Sequence, residues 1–398
     1  MKIAHIVRRF TFSEWGGTES VVWHLAQQQR AQGLTPEILC TAALDQAGSE
    51  TVDGITIRRF PYFYPCFPMP KKDKLALDKK GGNPFAPRLL KCLEKGNYDI
   101  FHIHAGGRLA NYSCRLARKL AIPTVMSLHG GACAIPAQEM ELMLKPLRHK
   151  FSYGGIIDRL CRTRKTPESQ AGLLLALSKE EVQKLQARYP GKRVELFPNG
   201  ILHRELPDAG DFRQKYHIPE NRRLILCISR IDYQKNQQLL LEILPRHPET
   251  HLLLIGPVTA EWYYRELLER AAKLGIAERL TVIPGLKPDS IELLQALKTA
   301  YCFILPSRHE PFGIAALEAL DAEVPLIAAD VGGLKDFLVD GKNALLFEDN
   351  SVASLLDAYN KTDLLRNDLI AGGRETARKY NWQSIAGKLT DIYRELKR

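Results

Sequence analysis

The 398-residue chain lacks the compact signatures that announce a cofactor or a metal. No G-x-G-x-x-G occurs, so nicotinamide or flavin use has no support, and the absence of G-x-x-x-x-G-K-[ST] excludes P-loop ATP chemistry. No Asp-x-Asp pair is present and the histidine pairs lack a metal-site setting, so neither an obligatory metal nor any other cofactor is expected. The eight cysteines (Cys40, Cys66, Cys92, Cys114, Cys133, Cys161, Cys227 and Cys302) form no C-x-x-C. Several lie in apolar runs, which suits buried thiols in a reducing compartment and not a zinc or disulfide framework. No apolar run approaches the ~20 residues that span a bilayer. The opening run, Met1 to Val7, is too short for a signal peptide's apolar region. The expectation is a cytoplasmic protein that can still touch the inner face of a membrane.

What is present is an ordinary soluble composition, 45% hydrophobic and 25% charged, at a length that suits two domains of roughly 200 residues. The net charge of +11 is uneven. Residues 1–200 hold 30 Lys+Arg against 17 Asp+Glu, a net of +13; the remainder holds 26 against 28, a net of −2. A basic half can meet nucleic acid or an anionic membrane surface. Without a recognition helix, RNP motif or zinc finger the nucleic-acid reading is the weaker, and none is expected as a partner.

Along the chain, short buried strands alternate with helices. Strands are expected at 2–7, 35–41, 56–60, 99–104, 123–129, 173–177 and 194–197, and, after a linker near 201–212, the alternation restarts at 223–229. This predicts two Rossmann-like domains. The segment 61–87 reads as a long, loop-rich insertion of prolines, lysines and aromatics (Tyr62, Phe63, Tyr64, Phe67), either a solvated loop or a membrane-facing patch. Residues 140–168 form a second basic tract that could make an amphipathic, cationic helix face, or an ordinary solvated one.

The residues with the most chemistry lie at strand ends. Glu310 and Glu318 flank Pro311-Phe312-Gly313, between a buried strand and an alanine-rich helix; a helix N-terminus with free N–H groups is an anion site. Arg230 and Lys235 follow strand 223–229, where a diphosphate would sit, or where a surface turn carries incidental charge. Gly16-Gly17 precede a helix that Thr18 can cap; they either admit a phosphate or make a tight turn. His104 and His129 close two strands, the sheet edge at which ligands bind in doubly wound folds.

Together these residues resemble the retaining GT-B glycosyltransferases of the GT4 family. The strongest match is the E-x7-E signature of Glu310 and Glu318; Gly16-Gly17, His129-Gly130, Pro198-Asn199-Gly200 and Gly332-Gly333 match in order. Ser229 departs from the family's usual Gly. The resemblance implies an α/β GT-B fold of two facing Rossmann-like domains, with parallel sheets and an interdomain cleft. Residues 1–203 would form the acceptor side, with a C-terminal helix of about 377–398 packing back on it, and residues 204–376 the nucleotide-sugar domain. It implies transfer of a hexosyl group from a UDP- or GDP-sugar to a glycan or lipid-linked acceptor, with retention and without metal, in polysaccharide or lipopolysaccharide biosynthesis. Arg230 and Lys235 would neutralise the leaving diphosphate, Glu318 hold the ribose, and Glu310 a hydroxyl of the donor sugar. Backbone N–H groups of Phe312, Gly313 and Ile314 would meet phosphate or sugar. Gly16 and Gly17 would close over the phosphates, and Pro284 to Leu286 would face the base. His129 would lie near the sugar's C6 side, and His104 on the acceptor side. A GT-B epimerase, a phosphorylase and a non-catalytic sugar-nucleotide-binding protein remain as alternatives.

Overall fold

A computed structural model describes residues 1–13, 16–79, 81–130, 144–148, 150–161, 166–287 and 290–398. The chain folds into two units, Met1–Asn199 with Trp382–Arg398, and Gly200–Asn381. The sequence expectation places these boundaries at 203/204 and 376/377. Each unit is built on one sheet whose central strands are largely apolar and buried, as suits strands covered on both faces, with His5 and His102 as buried polar exceptions in the first unit.

In the first unit the strands are β1 (Lys2–Arg9), β2 (Thr35–Thr41), β3 (Gly48–Val52), β4 (Ile55–Phe60), β5 (Cys66–Phe67), β6 (Ile100–Ile103), β7 (Thr124–Ser127), β8 (Phe151–Ser152), β9 (Leu173–Ala176) and β10 (Val194–Leu196). Eight of them form one sheet in the order β10-β9-β7-β6-β1-β2-β4-β3. All its pairings are parallel except that of β3, an antiparallel edge strand on β4 that the sequence reading missed. The strand order reverses between β1 and β6, so the loops leaving these strands separate and leave a crevice at their carboxyl ends. The C-terminal helix, Trp382–Lys397, packs back on the first helix, Gly17–Ala31. It buries Trp382, Ile385, Leu389 and Tyr393.

The second unit repeats the plan with β11 (Arg223–Ile228), β12 (Thr250–Ile255), β13 (Leu280–Ile283), β14 (Cys302–Leu305), β15 (Leu326–Ala329) and β16 (Leu345–Phe347). Its sheet runs β13-β12-β11-β14-β15-β16, and every pairing is parallel. Ile225, Leu252, Leu254, Ile304, Ile327 and Phe347 share one core. Each contributes about 1.5–3 kcal/mol by leaving water. Here the order reverses between β11 and β14, which puts the loops 229–236 and 306–313 at the switch point.

Three expectations need correction. The 61–87 segment is more ordered than a loop-rich insertion suggests. It carries β5 and a helix, Lys71–Lys79, anchored by the buried Asp78. The Tyr62 and Tyr64 hydroxyls donate to Asp78 Oδ1 at 2.6 and 2.8 Å, Lys74 donates to Oδ2 at 2.9 Å, and Arg8 donates to the carbonyls of Leu77 and Asp78. Tyr64 is therefore core and not surface, because a buried carboxylate needs these donors. The tract 140–168 is not one amphipathic helix. Its described residues make a 3-10 turn (Lys145–Leu147), the two-residue β8 and a helix of seven residues (Gly154–Leu160). After β11, a 3-10 turn (Gln237–Glu242) stands where the strand–helix alternation predicts a helix.

Candidate active site

The loop after β11 is folded by Asp232, which sequence reasoning passed over. Asp232 is 7% exposed. Its Oδ1 accepts from the backbone N–H of Gln234 (3.0 Å) and Lys235 (3.2 Å), and its Oδ2 accepts from Thr259 Oγ1 (3.0 Å). An Asp that bonds its own backbone two residues on is an Asx-turn, and the Arg-Ile-Asp-Tyr-Gln-Lys run contained that signal. Asp232 Oδ2 also pairs with Arg230 at 3.0 Å, so Arg230 is aimed although its side chain stays 39% exposed. Asn236 then adopts a left-handed conformation, φ 52°, and the chain turns away.

From the other side of the switch point comes Glu310, which is buried. Its Oε2 accepts from Lys235 Nζ at 2.5 Å and from Ser307 Oγ at 3.3 Å. The two side chains of that ion pair are 14% and 12% exposed. The loops are also tied by Arg308, whose N–H donates to the Gln234 carbonyl at 2.8 Å and whose guanidinium lies 4.6 Å from the centre of the Tyr233 ring. The structure therefore joins Lys235 to Glu310 and sets Arg230 on the same loop as Lys235.

Gly313 starts the helix Ile314–Asp321. It has φ 98°, and a Cβ there would lie 2.4 Å from Leu334. Among the described residues, the N–H groups of Phe312, Gly313 and Ile314 form no hydrogen bond. They are the free donors of a helix start. The Phe312 side chain is buried against Phe337 and Tyr380, so only its backbone can serve a ligand. The Gly332-Gly333 turn packs under this loop: Gly333 N–H donates to the Glu310 carbonyl at 2.8 Å, and a Cβ on Gly332 (φ 53°) would lie 2.2 Å from that oxygen. Glu318 is half-buried on the helix's second turn. Pro284 and Leu286 sit in the loop after β13, at the sheet edge, with Pro284 exposed.

In the first unit, Gly16 precedes the first helix and Gly17 opens it. The N-terminus already holds a carboxylate. Glu19, buried and paired with Arg9 at 3.2 Å, lies against Gly16, where a Cβ would be 2.9 Å from Glu19 Oε2. Burial pushes the Glu19 carboxyl up despite Arg9. A Cβ on Gly17 would meet nothing within 4 Å, so Gly17, not Gly16, faces open space. Glu14 and Trp15 lie outside the described residues. His129, just past β7, is partly exposed, and burial pushes its ring down to about 4. His104 does not reach the surface. It is 6% exposed, with Nε2 bonded to His5 Nδ1 and Nδ1 to His129 Nε2, each at 3.0 Å. It stands behind His129, so the acceptor-side contact expected of it is not available in this arrangement.

The family model described as "Glycosyl transferases group 1" matches residues 208–380, and that of "Glycosyltransferase Family 4" matches 15–203. The chain belongs to the GT4 family of glycosyltransferases. It is 25% identical over 400 residues to a D-inositol 3-phosphate glycosyltransferase of Acidothermus cellulolyticus, covering 96% of this chain and 86% of the relative. Among solved structures it is similar to Anabaena HepE in complex with UDP and glucose (TM-score 0.74, 18% identity, 99% of this chain and 100% of that one). It is likewise similar to the sucrose-phosphate synthase of Thermosynechococcus elongatus (TM-score 0.73, 19% identity, 99% and 98%). The fold is GT-B, with a Rossmann-like sheet in each unit, and the activity is sugar transfer from a nucleotide sugar.

Proposed function

We propose that this GT4 enzyme is a retaining, metal-independent hexosyltransferase using a UDP- or GDP-sugar, with a glycan or lipid-linked acceptor in cell-surface polysaccharide or lipopolysaccharide biosynthesis. The observation that carries the reading is the switch point of the second unit. There Arg230, Lys235 and the free N–H groups of residues 312–314 supply cations and donors, with Glu310 beside them. In the transfer, the bond from the anomeric carbon to the diphosphate breaks and the acceptor oxygen bonds to the same face of that carbon. The acceptor's proton passes to the departing phosphate. Negative charge grows on the diphosphate, and preorganised cations lower that barrier. Asp232 and Glu310 are each already paired with a cation, which suits positioning of sugar and loop better than holding a metal or attacking the sugar. Glu318 is assigned the ribose hydroxyls, and His129 a sugar hydroxyl.

A thermal-shift screen of UDP-, GDP- and ADP-sugars tests the donor. A ligand at 100 times its dissociation constant adds about 2.7 kcal/mol to apparent stability. A shift with ADP-sugars alone would overturn the donor assignment. Release of nucleoside diphosphate that rises with acceptor separates a transferase from a binding protein, and from an epimerase active without acceptor.

For the acceptor side, the first unit presents an apolar patch among cations. Phe67 and Phe151 are cross-strand neighbours on β5 and β8 and are each 70% exposed; Ile156 and Leu160, on the helix after β8, are exposed too. Lys71, Lys72, Lys145 and Arg159 are exposed. Lys74 and Lys150, by contrast, are spent on Asp78 and Asp73. Aromatic side chains beside basic ones suit the interface of an anionic bilayer, and that is the partner assigned to this face. Flotation with anionic vesicles at low salt should carry the protein, and Phe67→Ser/Phe151→Ser should reduce it several-fold. Equal flotation of the two proteins would refute the assignment.

A further inference from the structure

Behind His129 lies a connected line of buried polar side chains that sequence spacing gives no reason to expect. Ser127 Oγ lies 2.7 Å from His102 Nε2, and His102 Nδ1 is 2.6 Å from the Tyr393 hydroxyl. Gln29 Nε2 donates to that hydroxyl at 3.4 Å, and Gln29 Oε1 lies 2.7 Å from His5 Nε2. His5 Nδ1 then meets His104 Nε2, and His104 Nδ1 meets His129 Nε2. His5, Gln29, His102 and Tyr393 are fully buried. His5, His102 and His104 also bring three ring nitrogens within 4.8 Å of one another, the spacing of a metal cluster. However, all six of their ring nitrogens are already hydrogen-bonded, and among the described residues no carboxylate joins the cluster to offset a cation.

Proton bookkeeping gives this line a direction. An amide oxygen only accepts, so His5 Nε2 must carry the hydrogen and His5 Nδ1 must be bare. The bare Nδ1 then requires N–H on His104 Nε2, which leaves His104 Nδ1 to accept from His129 Nε2–H. In the other arm, the amide nitrogen donates to Tyr393, Tyr393 donates to His102 Nδ1, and His102 Nε2–H donates to Ser127. Turning the Gln29 amide around would reverse every bond in both arms. The line ends at the Ser127 hydroxyl on one side and at His129 Nδ1 on the other, and His129 Nδ1 has no partner among the described residues.

We propose that Gln29, on the first helix, sets this order and so holds His129 as the neutral Nε2–H tautomer, with Nδ1 bare toward a donating hydroxyl. Gln29, Tyr393, His5 and His104 are then positioning residues. That the hydroxyl belongs to a sugar rests on the transferase reading; the tautomer itself does not.

The test is long-range proton–nitrogen NMR of the full chain labelled with ring-15N histidine, at pH 7.5. In the wild type, His5, His102, His104 and His129 should each show a protonated Nε2 and a bare Nδ1. Any of them protonated at Nδ1 instead overturns the proposal. Gln29→Met removes the amide and should turn the His129 signal into a mixture of tautomers. It should also lower kcat several-fold while changing KM less than twofold. A Gln29→Met protein that keeps a single His129 tautomer overturns the proposal. If that variant does not fold, the wild-type tautomer pattern still decides. An unchanged kcat in Gln29→Met, with the NMR pattern as expected, leaves the tautomer order standing and overturns the role given to the hydroxyl.

Discussion

The Lys235–Glu310 pair allows packing to be separated from catalysis. The bond is charge-assisted at 2.5 Å, and the side chains are 14% and 12% exposed. Exposed ion pairs give about 0–1 kcal/mol, and breaking a buried one costs about 3–5 kcal/mol. Partial burial puts Lys235→Met at about 2 kcal/mol, because it strands a mostly buried carboxylate. At about 2–4 °C per kcal/mol for a unit of this size, the melting temperature should fall by about 4–8 °C. Lys235→Met/Glu310→Gln removes both charges and should recover all but about 1 kcal/mol. Activity should not follow. If Lys235 neutralises the leaving diphosphate, the single and double variants should each lose about 10²–10³ in kcat, the scale of one preorganised electrostatic contact. The assays are calorimetry and nucleoside diphosphate release at saturating donor. A double variant that regained both stability and turnover would show that Lys235 serves only to satisfy Glu310, and would refute the diphosphate role.

Three further outcomes are expected. Glu318→Ala should abolish the donor-induced thermal shift with a change of under about 1 kcal/mol in the unliganded stability, since Glu318 is half-buried and not core; a preserved shift would remove the ribose role. Gly332→Ala should destabilise the second unit by at least about 2 kcal/mol, because φ 53° and a Cβ 2.2 Å from the Glu310 carbonyl act together; an unchanged melting curve would contradict that close approach. Acid should weaken the first unit. Burial holds His5 down at about 4 and His102 and His104 well below their ordinary value. Above pH 6.5 folded and unfolded chains are both neutral there. Below it the unfolded chain takes protons that the fold refuses, so stability falls as pH drops from 6.5 toward 4, by up to about 1.4 kcal/mol per pH unit for each histidine. Urea midpoints at pH 7.5 and 5.0 should show a marked loss, and equal midpoints would refute the burial argument.

The two units differ in how far their chemistry could be read without coordinates, and the difference lies in distance along the chain. In the second unit the informative residues are local. Arg230 and Lys235 follow one strand, Glu310 and Glu318 follow another, and strand-end position alone puts them near the sheet's carboxyl edge. What was missing there was the pairing of Lys235 with Glu310, 75 residues apart, and the part played by Asp232. In the first unit the strand alternation, the returning C-terminal helix and the strand-end position of His129 were legible. The reason His104 sits where it does was not, because its partners come from β1, β7's end and, through Gln29, two helices that meet only in the fold. A histidine at a strand end looks the same in sequence whether it is partly exposed or stands behind one that is, passing it a hydrogen bond. Burial decides between them, and burial depends on what the last helix covers: Tyr393, 291 residues beyond His102, closes the line of hydrogen bonds. By this reasoning that helix does more for the first unit than cover apolar surface. Removing it would take away Trp382 and Leu389 and uncover the apolar surface they bury, and would also cost His102 and Gln29 one buried partner each, Tyr393, so its loss should cost more than its apolar area alone accounts for.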